Sequence, residues 1–497
     1  MTSEHPPGPP PQRLKPQYDL SRGHPNRHLL PTAEMREILA EIATSEGSGQ
    51  SDDDGREEAL RFALGYSPLA GTKGLLFELR SFLDRNTAGD DLGGRYVQEE
   101  EGVTTTSPPP PLESNNRLFA TNGVSHGIEL LCRTQTSPGD VVLVDRPTYF
   151  LVSGIFANSG LVVRGLPMEP EVPGAVDVGR LTDLVTSGEM EAPRMIYLIP
   201  THHNPTGYTM PPEKRRDLAE FAMRHGVLVV ADEVYHLLDW RDRVRDGPRP
   251  ARMAAYNDVV ADRGGSYNDG KGQGESPSGG GRRAGGCASV SSFTKIFAPG
   301  VRCGWVEAPD AVIRGLGRCG YLRSQGGSVP ITGDLIMRIA LRSRRCDAVL
   351  QRLNAAYEGR ARRMCDVLHE ESGIRVVHRP LGGLFIWVKF PDDVDARDLL
   401  NFCAGTAASD SASGVRFLPG EACDARFGDG DLTQEERDRN DIVSGVSGAS
   451  FRSCARLCFA DLDEDDLVEG TRRLVRAFGE YMSHSERGSF ATSTTRT

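Results

Sequence analysis

The sequence contains no C-x-x-C pair, although it has ten cysteines among its 497 residues. Zinc fingers and small disulfide-stapled domains both depend on closely spaced cysteines, so the scattered spacing excludes these two classes. Cys454 and Cys458 stand closest together, but they fall in a predicted strand. We therefore expect free thiols and a reducing compartment, and we predict a cytoplasmic location.

The sequence also lacks a long apolar run and an excess of positive charge. No apolar stretch approaches the roughly 20 residues of a membrane-spanning helix. The Pro-rich residues 1–16 have neither the apolar core of a signal peptide nor an Arg-rich pattern. Lysine and arginine total 58 against 69 aspartate and glutamate residues, a net charge of −11. Proteins that bind phosphate backbones need the opposite balance, so we expect neither nucleic acid nor a membrane as partner.

Segments that are poor in apolar residues divide the chain. A chain of 497 residues exceeds one compact core, so we expect two domains, long insertions, or both. Gly-, Ser-, Pro- and Asp-rich composition predicts insertions at about 86–116, 241–286 and 424–450, and disordered tails at 1–19 and 483–497. We expect the ordered remainder to form a large domain at 65–344 and a small domain at 20–64 and 345–482.

The stretch Ser291–Trp305 places one lysine, Lys295, between small hydroxyl residues and an arginine. Burial disfavours the charged form of a lysine, and a nearby cation such as Arg302 would lower its pKa further, which leaves a neutral amine that attacks carbonyls. The Arg302 guanidinium and the hydroxyls of Ser292 and Thr294 suit a phosphate group. An aldehyde and a phosphate on one molecule indicate pyridoxal 5'-phosphate, held by Lys295 as a Schiff base.

Ser-Phe-Thr-Lys followed by Ala-Pro-Gly-Val-Arg-Cys-Gly-Trp resembles the lysine motif of the class I and II aminotransferases, pyridoxal-phosphate enzymes of fold type I. Within this family the motifs are most similar to those of the kynurenine and 2-aminoadipate aminotransferase branch. Asn-Pro-Thr-Gly at 204–207 is a further signature of the family. The matching motifs follow one another in the family's order from about Leu20 to Tyr481, apart from the insertions.

Several motifs follow predicted strands, where ligands gather in open α/β sheets. Gly123, Val124 and Ser125 open a helix whose unpaired N–H groups suit an anion, and we predict that they complete the phosphate site. Tyr149 follows a buried strand, and the resemblance makes it the aromatic that stacks on the cofactor ring. Asp232 ends another buried strand, where a carboxylate needs a cationic partner, and a protonated pyridine nitrogen would supply it.

The resemblance assigns roles to further residues. Asn204 and Tyr235 match the two side chains that the family places at the phenolic oxygen of the cofactor. Arg456 matches the arginine that binds the substrate's α-carboxylate, and Gly23 matches an N-terminal glycine near the substrate. Tyr66 matches a tyrosine that reaches the cofactor phosphate of a neighbouring subunit, which implies a homodimer. Without the resemblance, Tyr66 is a turn-packing aromatic and the segment around Gly23 is an ordinary loop before a helix.

Two adjacent histidines, His202 and His203, raise the question of a metal site. Side chains of neighbouring residues on an extended chain point to opposite sides of it. A metal ion needs several converging ligands, and no third ligand stands nearby in the sequence. We therefore predict that no metal is bound here.

Taken together, the motifs predict an α/β fold, in which a mainly parallel sheet flanked by helices carries the cofactor and a smaller α+β domain is made from both chain ends. The predicted reaction is ping-pong transamination between an L-amino acid and a 2-oxo acid through a Lys295 aldimine, with Lys295, Asp232 and Tyr235 as catalytic residues. A C–S lyase or decarboxylase on the same site stays open, as does a non-catalytic cofactor-binding regulatory module. Against the regulatory module, we expect the roughly twenty residues before the family match to be too few for a DNA-binding domain.

Overall fold

The computed structural model describes residues 18–44, 61, 64–92, 117–261, 285–369, 373–404, 414–424, 444–445 and 451–493, with side chains described as far as residue 484. The strands in chain order are β1 (Tyr18–Asp19), β2 (Leu118–Thr121), β3 (Val141–Val144), β4 (Val162–Gly165), β5 (Met195–Leu198), β6 (Leu228–Asp232), β7 (Gly286–Ser292), β8 (Gly304–Glu307), β9 (Arg375–Val376), β10 (Phe385–Lys389), β11 (Val415–Arg416), β12 (Leu418–Pro419) and β13 (Cys454–Cys458). The α-helices are α1 (Thr32–Thr44), α2 (Lys73–Thr87), α3 (Val124–Gln135), α4 (Val152–Asn158), α5 (Val178–Thr186), α6 (Pro212–His225), α7 (Tyr256–Ala261), α8 (Asp310–Leu316), α9 (Gly320–Gln325), α10 (Ile331–Arg342), α11 (Arg345–His369), α12 (Ala396–Ala404) and α13 (Glu464–Ser493).

A seven-stranded sheet forms the centre of the molecule, in the order β2-β8-β7-β6-β5-β3-β4. Neighbouring strands from β7 to β4 pair in parallel, and β8 runs antiparallel to both β2 and β7. Every residue of β5 and β6 is buried. Strands covered on both faces need continuous apolar runs, which explains why the sequence shows such runs there instead of an alternation. The predicted α/β fold with a mainly parallel sheet is confirmed.

Helices cover both faces of this sheet. Successive side chains of a strand point to opposite faces. Leu228 and Val230 of β6 therefore pack into one apolar core, which includes residues of α3, and Val229 and Ala231 pack into a second core with residues of α6. Since the parallel strands all run in one direction, their carboxyl ends meet at a single edge of the sheet, where loops leave for the helices.

A second, four-stranded sheet belongs to the C-terminal part of the chain. Its order is β12-β13-β10-β9, and all its strands pair antiparallel. Separately, β1 pairs in parallel with β11, so residues 18–19 join the C-terminal part of the chain. Tyr18 is buried, and the guanidinium of Arg473 lies 4.7 Å from the centre of its ring. Tyr18 and Asp19 therefore belong to the fold, and the predicted tail 1–19 is two residues too long at this end.

The predicted insertion at 241–286 also begins too early. Residues 241–261 include α7, and Tyr256 is fully buried there. The many charged residues of this segment misled the prediction because composition does not show which charges pair. Arg249, for example, forms an ion pair with the buried Asp90 at 2.8 Å. A charged segment whose arginines have such partners packs onto the fold.

The C-terminal boundary is the third difference, because α13 continues to Ser493, past the start of the predicted tail at 483. The rest of the predicted tails and insertions lies almost entirely outside the described residues. The division into a large domain at 65–344 and a small domain from both chain ends stays a prediction. None of the helices within the described ranges has the length and hydropathy needed to cross a membrane.

Candidate active site

One cavity of about 360 Å³ opens at the carboxyl ends of the parallel strands. It brings together predicted site residues that are far apart in the sequence, namely Gly23, Val124, Ser125, Tyr149, Asn204, Asp232, Tyr235, Thr294, Lys295, Arg302 and Arg456. Gly123 and Ser292 contact this lining from behind, and Tyr66 lies outside it. The parallel sheet explains this convergence, because each strand delivers the residues that follow it to the same edge.

Lys295 lies in the turn after β7, with its Nζ donating a hydrogen bond to the backbone oxygen of Gly23 at 2.6 Å. Burial lowers the pKa of the Lys295 ammonium, and the positive charge of Arg456 adds to this, while nearby acidic groups oppose it. The contributing cation is thus Arg456, and not Arg302 as the sequence suggests. A lowered pKa raises the fraction of neutral amine, which is the form that attacks a carbonyl.

The N-terminus of α3 and Arg302 form one wall of the cavity. Gly123 precedes α3 with a φ of +87°, and none of the described side chains caps the helix, so its first N–H groups are open to an anion. Arg302, with a φ of +54°, donates to the backbone oxygen of Asn122 at 3.0 Å. A Cβ at position 123 would lie 2.7 Å from Nη2 of Arg302, so glycine is what permits this approach. Helix N–H groups beside a guanidinium are a donor set that fits a phosphate.

The two predicted hydroxyl residues occupy different positions. Thr294 lines the cavity, whereas Ser292 is buried behind it at the end of β7. The Ser292 hydroxyl oxygen lies 2.7 Å from that of Thr294, donates to the backbone oxygen of Cys303 at 3.0 Å and accepts from the Thr294 N–H at 3.1 Å. The Ser292 hydroxyl is therefore occupied by hydrogen bonds within the turn, and only Thr294 of the pair lines the cavity.

Asp232 is the last residue of β6 and is 5% exposed. Burial raises the pKa of its carboxyl to about 6, and the charge of Asp145 adds to the rise. Hydrogen bonds from the Tyr197 hydroxyl at 3.0 Å and the Val234 N–H at 3.4 Å favour the ionised form, as does the charge of Lys295. None of the described residues forms an ion pair with Asp232, so a cationic group in the cavity would lower the cost of its charge.

Arg456, in β13, also lines the cavity. It donates to Oδ1 of Asn204 at 2.8 Å and to the backbone oxygen of Ser21 at 2.7 Å, and its guanidinium lies 4.2 Å from the centre of the Phe385 ring. Its Nε is buried and finds no hydrogen-bond partner among the described residues. Because Arg456 also lines the cavity, its guanidinium suits a carboxylate bound there.

Two tyrosines complete the walls. Tyr149 lies in the loop after β3, with its ring centre 5.8 Å from that of Phe150. Tyr235 lies after β6 and meets the Phe385 ring edge-on at 5.9 Å. Burial, and next the charge of Asp232, raise the pKa of both hydroxyls, so both stay protonated and able to donate a hydrogen bond. The site thus offers two neutral phenols beside one buried carboxylate.

Tyr66 lies outside the cavity, whereas Gly23 lines it. Tyr66 is 88% exposed, and its ring packs on the Gly326 turn, where a Cβ at residue 326 would lie 2.3 Å from the ring. Its predicted role at a neighbouring subunit stays a prediction. Gly23 does join the cavity, and a Cβ there would lie 2.6 Å from Cζ of Phe385. Glycine therefore lets the N-terminal segment lie against the cavity wall.

The two histidines before the Asn-Pro-Thr-Gly motif pair with different carboxylates. His202 Nε2 lies 2.8 Å from Oδ2 of Asp239, and His203 Nε2 lies 2.9 Å from Oδ2 of Asp145. Within the described ranges, no group of three or more His, Cys, Asp or Glu side chains is placed to hold a metal ion. Both imidazoles therefore anchor the loop that carries Asn204.

Among the residues that the sequence analysis did not single out, two bear directly on the chemistry of this site. Tyr197 lies in the apolar run of β5. A buried tyrosine hydroxyl needs a hydrogen-bond partner, so a tyrosine in such a run indicates a polar group nearby. Phe385 follows a Gly-Gly pair at the start of β10 and contacts both Arg456 and Tyr235. The strand is visible in the sequence, but the residues that its first side chain contacts are not.

Known proteins share this sequence pattern and fold. The sequence model of the family "Aminotransferase class I and II" matches residues 104–474. An aromatic-amino-acid aminotransferase of Thermococcus litoralis is 24% identical over 373 residues, 73% of this chain and 73% of the relative. A 2-aminoadipate transaminase of Thermus thermophilus is 25% identical over 361 residues, 72% of this chain and 74% of the relative.

Solved structures agree with the topology. The crystal structure of the α-aminoadipate aminotransferase from Thermus thermophilus, complexed with N-(5'-phosphopyridoxyl)-L-leucine, matches with a TM-score of 0.65 at 21% identity. The match covers 94% of this chain and 93% of that one. At this level of identity the comparison shows a shared fold.

Proposed function

We propose that this chain, which belongs to the class I and II aminotransferases, binds pyridoxal 5'-phosphate around Lys295 and moves an amino group between an L-amino acid and a 2-oxo acid. Lys295, Asp232, Arg302 and Arg456 line one cavity, and this convergence is the strongest support for the proposal. This chemistry needs an amine of lowered pKa, a buried carboxylate, and one guanidinium each for the phosphate and for the substrate.

The phosphate end of the cofactor fits the wall formed by α3 and Arg302. The open N–H groups of the first turn, at Val124 and Ser125, would donate to the phosphate together with the guanidinium of Arg302 and the hydroxyl of Thr294. Ser292 would act behind them, because its hydroxyl is bonded to that of Thr294. The predicted phosphate site would thus consist of the N-terminus of α3 on one hand and Arg302 with Thr294 on the other.

The ring end of the cofactor fits the opposite part of the cavity. Asp232 would pair with the protonated ring nitrogen, which relieves the cost of a buried carboxylate without a cation. Asn204 and Tyr235 would donate to the phenolic oxygen, and Tyr149 would cover one face of the ring. Oδ1 of Asn204 already accepts from Arg456, so its amide nitrogen is the group that stays free to donate.

Bound pyridoxal phosphate supplies a carbonyl that takes up the amino group and a ring that withdraws electrons from the substrate's α-carbon. Lys295 would bind the cofactor in the resting enzyme. Once displaced by a substrate, the neutral Lys295 amine would accept the α-proton at Nζ and donate it to the cofactor carbon. Arg456, which lines the cavity, would orient the substrate through its α-carboxylate.

The proposal is tested by incubating the purified protein and pyridoxal phosphate with amino donors and 2-oxo acid acceptors. Aromatic amino acids and 2-aminoadipate come first, because the relatives' names point to them. We expect the amino group to appear on the acceptor, and the cofactor absorbance to change with the donor and to return with the acceptor. Products of C–S cleavage or decarboxylation would instead support the alternative lyase or decarboxylase, and unchanged absorbance would contradict any reaction at Lys295.

Arg456→Ala should raise the KM for the amino donor by about 10- to 100-fold, with a smaller effect on kcat. A hydrogen bond to a charged group is worth about 1.5–3 kcal/mol, and about 1.4 kcal/mol corresponds to one factor of ten. Steady-state kinetics with donor and acceptor varied in turn would measure this. Arg416→Ala, on the exposed end of β11, is the control and should leave KM unchanged. An unchanged KM in Arg456→Ala would remove this arginine from substrate binding.

We also propose that the enzyme is a homodimer and is located in the cytoplasm. Tyr66 is exposed in the single chain and resembles a tyrosine that reaches the cofactor phosphate of a neighbouring subunit. None of the cysteines in the described residues forms a disulfide, and most of them are buried, which fits a reducing compartment.

A mixed dimer would test the shared site. Tyr66→Phe removes one hydroxyl, worth about 1–3 kcal/mol if it bonds the phosphate, and should weaken cofactor retention at both sites of its dimer. Lys295→Ala inactivates both sites of its own dimer. If Tyr66 serves the partner, a dimer of the two variants contains one site with both native residues, so mixing should restore activity at limiting cofactor.

The control for the mixing experiment is Tyr321→Phe, another exposed tyrosine, which should retain cofactor like the wild type. Co-refolded Tyr66→Phe and Lys295→Ala chains whose activity equals the average of the parents would contradict the shared site. Sedimentation of the wild type as a monomer would contradict the homodimer itself.

A further inference from the structure

Tyr197 lies directly behind Asp232, outside the cavity. Its side chain is fully buried in β5, and its hydroxyl donates a hydrogen bond to Oδ2 of Asp232 at 3.0 Å. The Tyr197 ring meets the buried ring of Phe156 edge-on, with 5.7 Å between centres and 70° between planes. Close packing on both sides of a strand fixes such a ring, so its hydroxyl has a fixed position behind the carboxylate.

A second buried carboxylate, that of Asp145, acts on Asp232 in this region. Asp145 follows β3 and raises the pKa of Asp232 through its charge. Asp145 has its own partners, because His203 Nε2 lies 2.9 Å from it and the Ile199 N–H donates to it at 2.9 Å. Among the described side chains, the Tyr197 hydroxyl is the one that forms a hydrogen bond with the carboxylate of Asp232. The two acids thus use separate sets of donors.

Three further groups face Asp232 from the cavity side. The charge of Lys295 favours the ionised carboxylate. The hydroxyls of Tyr149 and Tyr235 stay neutral, since burial and the charge of Asp232 raise the pKa of each. All three side chains line the cavity and are available to ligands there, whereas Tyr197 does not line it. A ligand in the cavity would therefore leave the hydrogen bond between Tyr197 and Asp232 intact.

We propose that Tyr197 is a positioning residue for the transamination, whose hydroxyl holds the Asp232 carboxylate ionised and oriented towards the ring nitrogen of the cofactor. The inference rests on the proposed role of Asp232. A carboxylate that accepts a hydrogen bond keeps its charge more easily than one that does not. Phenylalanine at position 197 would preserve the ring and its packing while removing the only polar atom of the side chain.

The test begins with cofactor-free protein, in which infrared difference spectra follow the protonated carboxyl of Asp232 as pH changes. Asp232→Asn identifies the band by its loss. In Tyr197→Phe we expect the titration midpoint to lie at higher pH than in the wild type, because the ionised form has lost a donor. After cofactor is added, kcat should fall by about 10- to 100-fold, with the KM for the donor changed less than about threefold. The acid limb of the kcat profile should move to higher pH.

Tyr256→Phe is the matched control. Tyr256 is equally buried, but its hydroxyl donates to the backbone oxygen of Asp91 at 3.1 Å, away from the cavity lining. This variant should lose stability in the same way as Tyr197→Phe and yet leave the Asp232 midpoint and kcat unchanged. A similar shift in both variants would overturn the proposal, because it would reduce Tyr197 to a core residue.

An Asp232 midpoint that is the same in Tyr197→Phe and the wild type would also overturn the proposal. Since the titration uses no cofactor or substrate, it can succeed or fail whether or not the protein shows transaminase activity. If Tyr197→Phe does not fold, 3-fluorotyrosine at position 197 replaces it. Its more acidic hydroxyl is a stronger donor, so the midpoint should move to lower pH, and an unchanged or higher midpoint would refute the role of Tyr197.

Discussion

Replacing Lys295 with alanine should abolish transamination while leaving the protein folded and able to bind pyridoxal phosphate. We expect the rate to fall by more than about 10⁴-fold, because proton transfer by one positioned side chain already contributes about 10²–10⁴-fold and this lysine would also bind the cofactor. Cofactor binding should persist because Arg302 and the N-terminus of α3, which would bind the phosphate, do not depend on Lys295. Initial rates, and cofactor content after gel filtration, would measure the two effects separately.

Covalent attachment provides a second readout for Lys295. Borohydride reduction followed by peptide mass spectrometry should find the cofactor on Lys295 in the wild type and on no lysine in Lys295→Ala. Lys389→Ala is the control, since Lys389 forms an ion pair with Asp392 at 2.8 Å on the surface. Turnover in Lys295→Ala at the wild-type level, or a reduced cofactor on another lysine, would show that a different lysine carries the reaction.

Asp232→Asn should reduce kcat by about 10²–10³-fold, which is the usual effect of removing one preorganised electrostatic group from an active site. Asparagine fits the same space and still forms hydrogen bonds, but it has no charge with which to keep the ring nitrogen protonated. Cofactor affinity should fall much less, because Arg302 and the N-terminus of α3 would still bind the phosphate. Equal losses in kcat and in cofactor affinity would indicate a structural role for Asp232 instead.

Glu233→Gln is the matched control for Asp232→Asn, because it changes the neighbouring buried acid. Burial raises the pKa of the Glu233 carboxyl to about 7, and it lies 3.5 Å from the buried Arg215, outside the cavity lining. This variant should change the melting temperature while the folded enzyme keeps its kcat. A loss of kcat as large as that of Asp232→Asn would mean that any change of charge at this depth disables the enzyme.

Asp232 should also make the stability of the cofactor-free protein depend on pH. Its pKa is raised from 3.8 to about 6, so its contribution is fully present below about pH 4 and is lost as pH rises through about 6. The loss is at most about 3 kcal/mol, since one pKa unit corresponds to about 1.4 kcal/mol. The melting temperature of Asp232→Asn relative to that of the wild type should therefore be higher at pH 7.5 than at pH 5. Added pyridoxal phosphate should reduce this difference.

Much of the site was visible in the sequence because its chemistry is local. Lys295 and Thr294 stand in one short motif after a strand, and Gly123 directly precedes a helix. The strands that carry Tyr149 and Asp232 are continuous apolar runs, which mark a sheet buried on both faces. Such features depend on neighbours within a few residues, so they can be recognised without coordinates.

Other parts of the site depend on contacts between distant segments. The sequence suggests Arg302 as the cation that lowers the pKa of Lys295, but in the fold the charge of Arg456 of β13 has this effect. Ser292 and Thr294 look equivalent in the motif, yet the turn buries one hydroxyl and exposes the other to the cavity. Which of several arginines or hydroxyls reaches a site depends on where loops and strands meet in space, and spacing along the chain does not contain that information.

The sequence by itself determined the family, the α/β fold and most of the side chains that line the cavity. It did so because each strand end carries its own motif, and a parallel sheet necessarily gathers strand ends at one edge. Only the tertiary structure revealed that Tyr197 stands behind Asp232, that Phe385 lies against Arg456, and that part of the charged segment after Trp240 is ordered. These features arise from contacts between residues that are far apart in the chain. Several such contacts are compatible with the local sequence patterns, and packing and charge pairing in the folded protein determine which of them form.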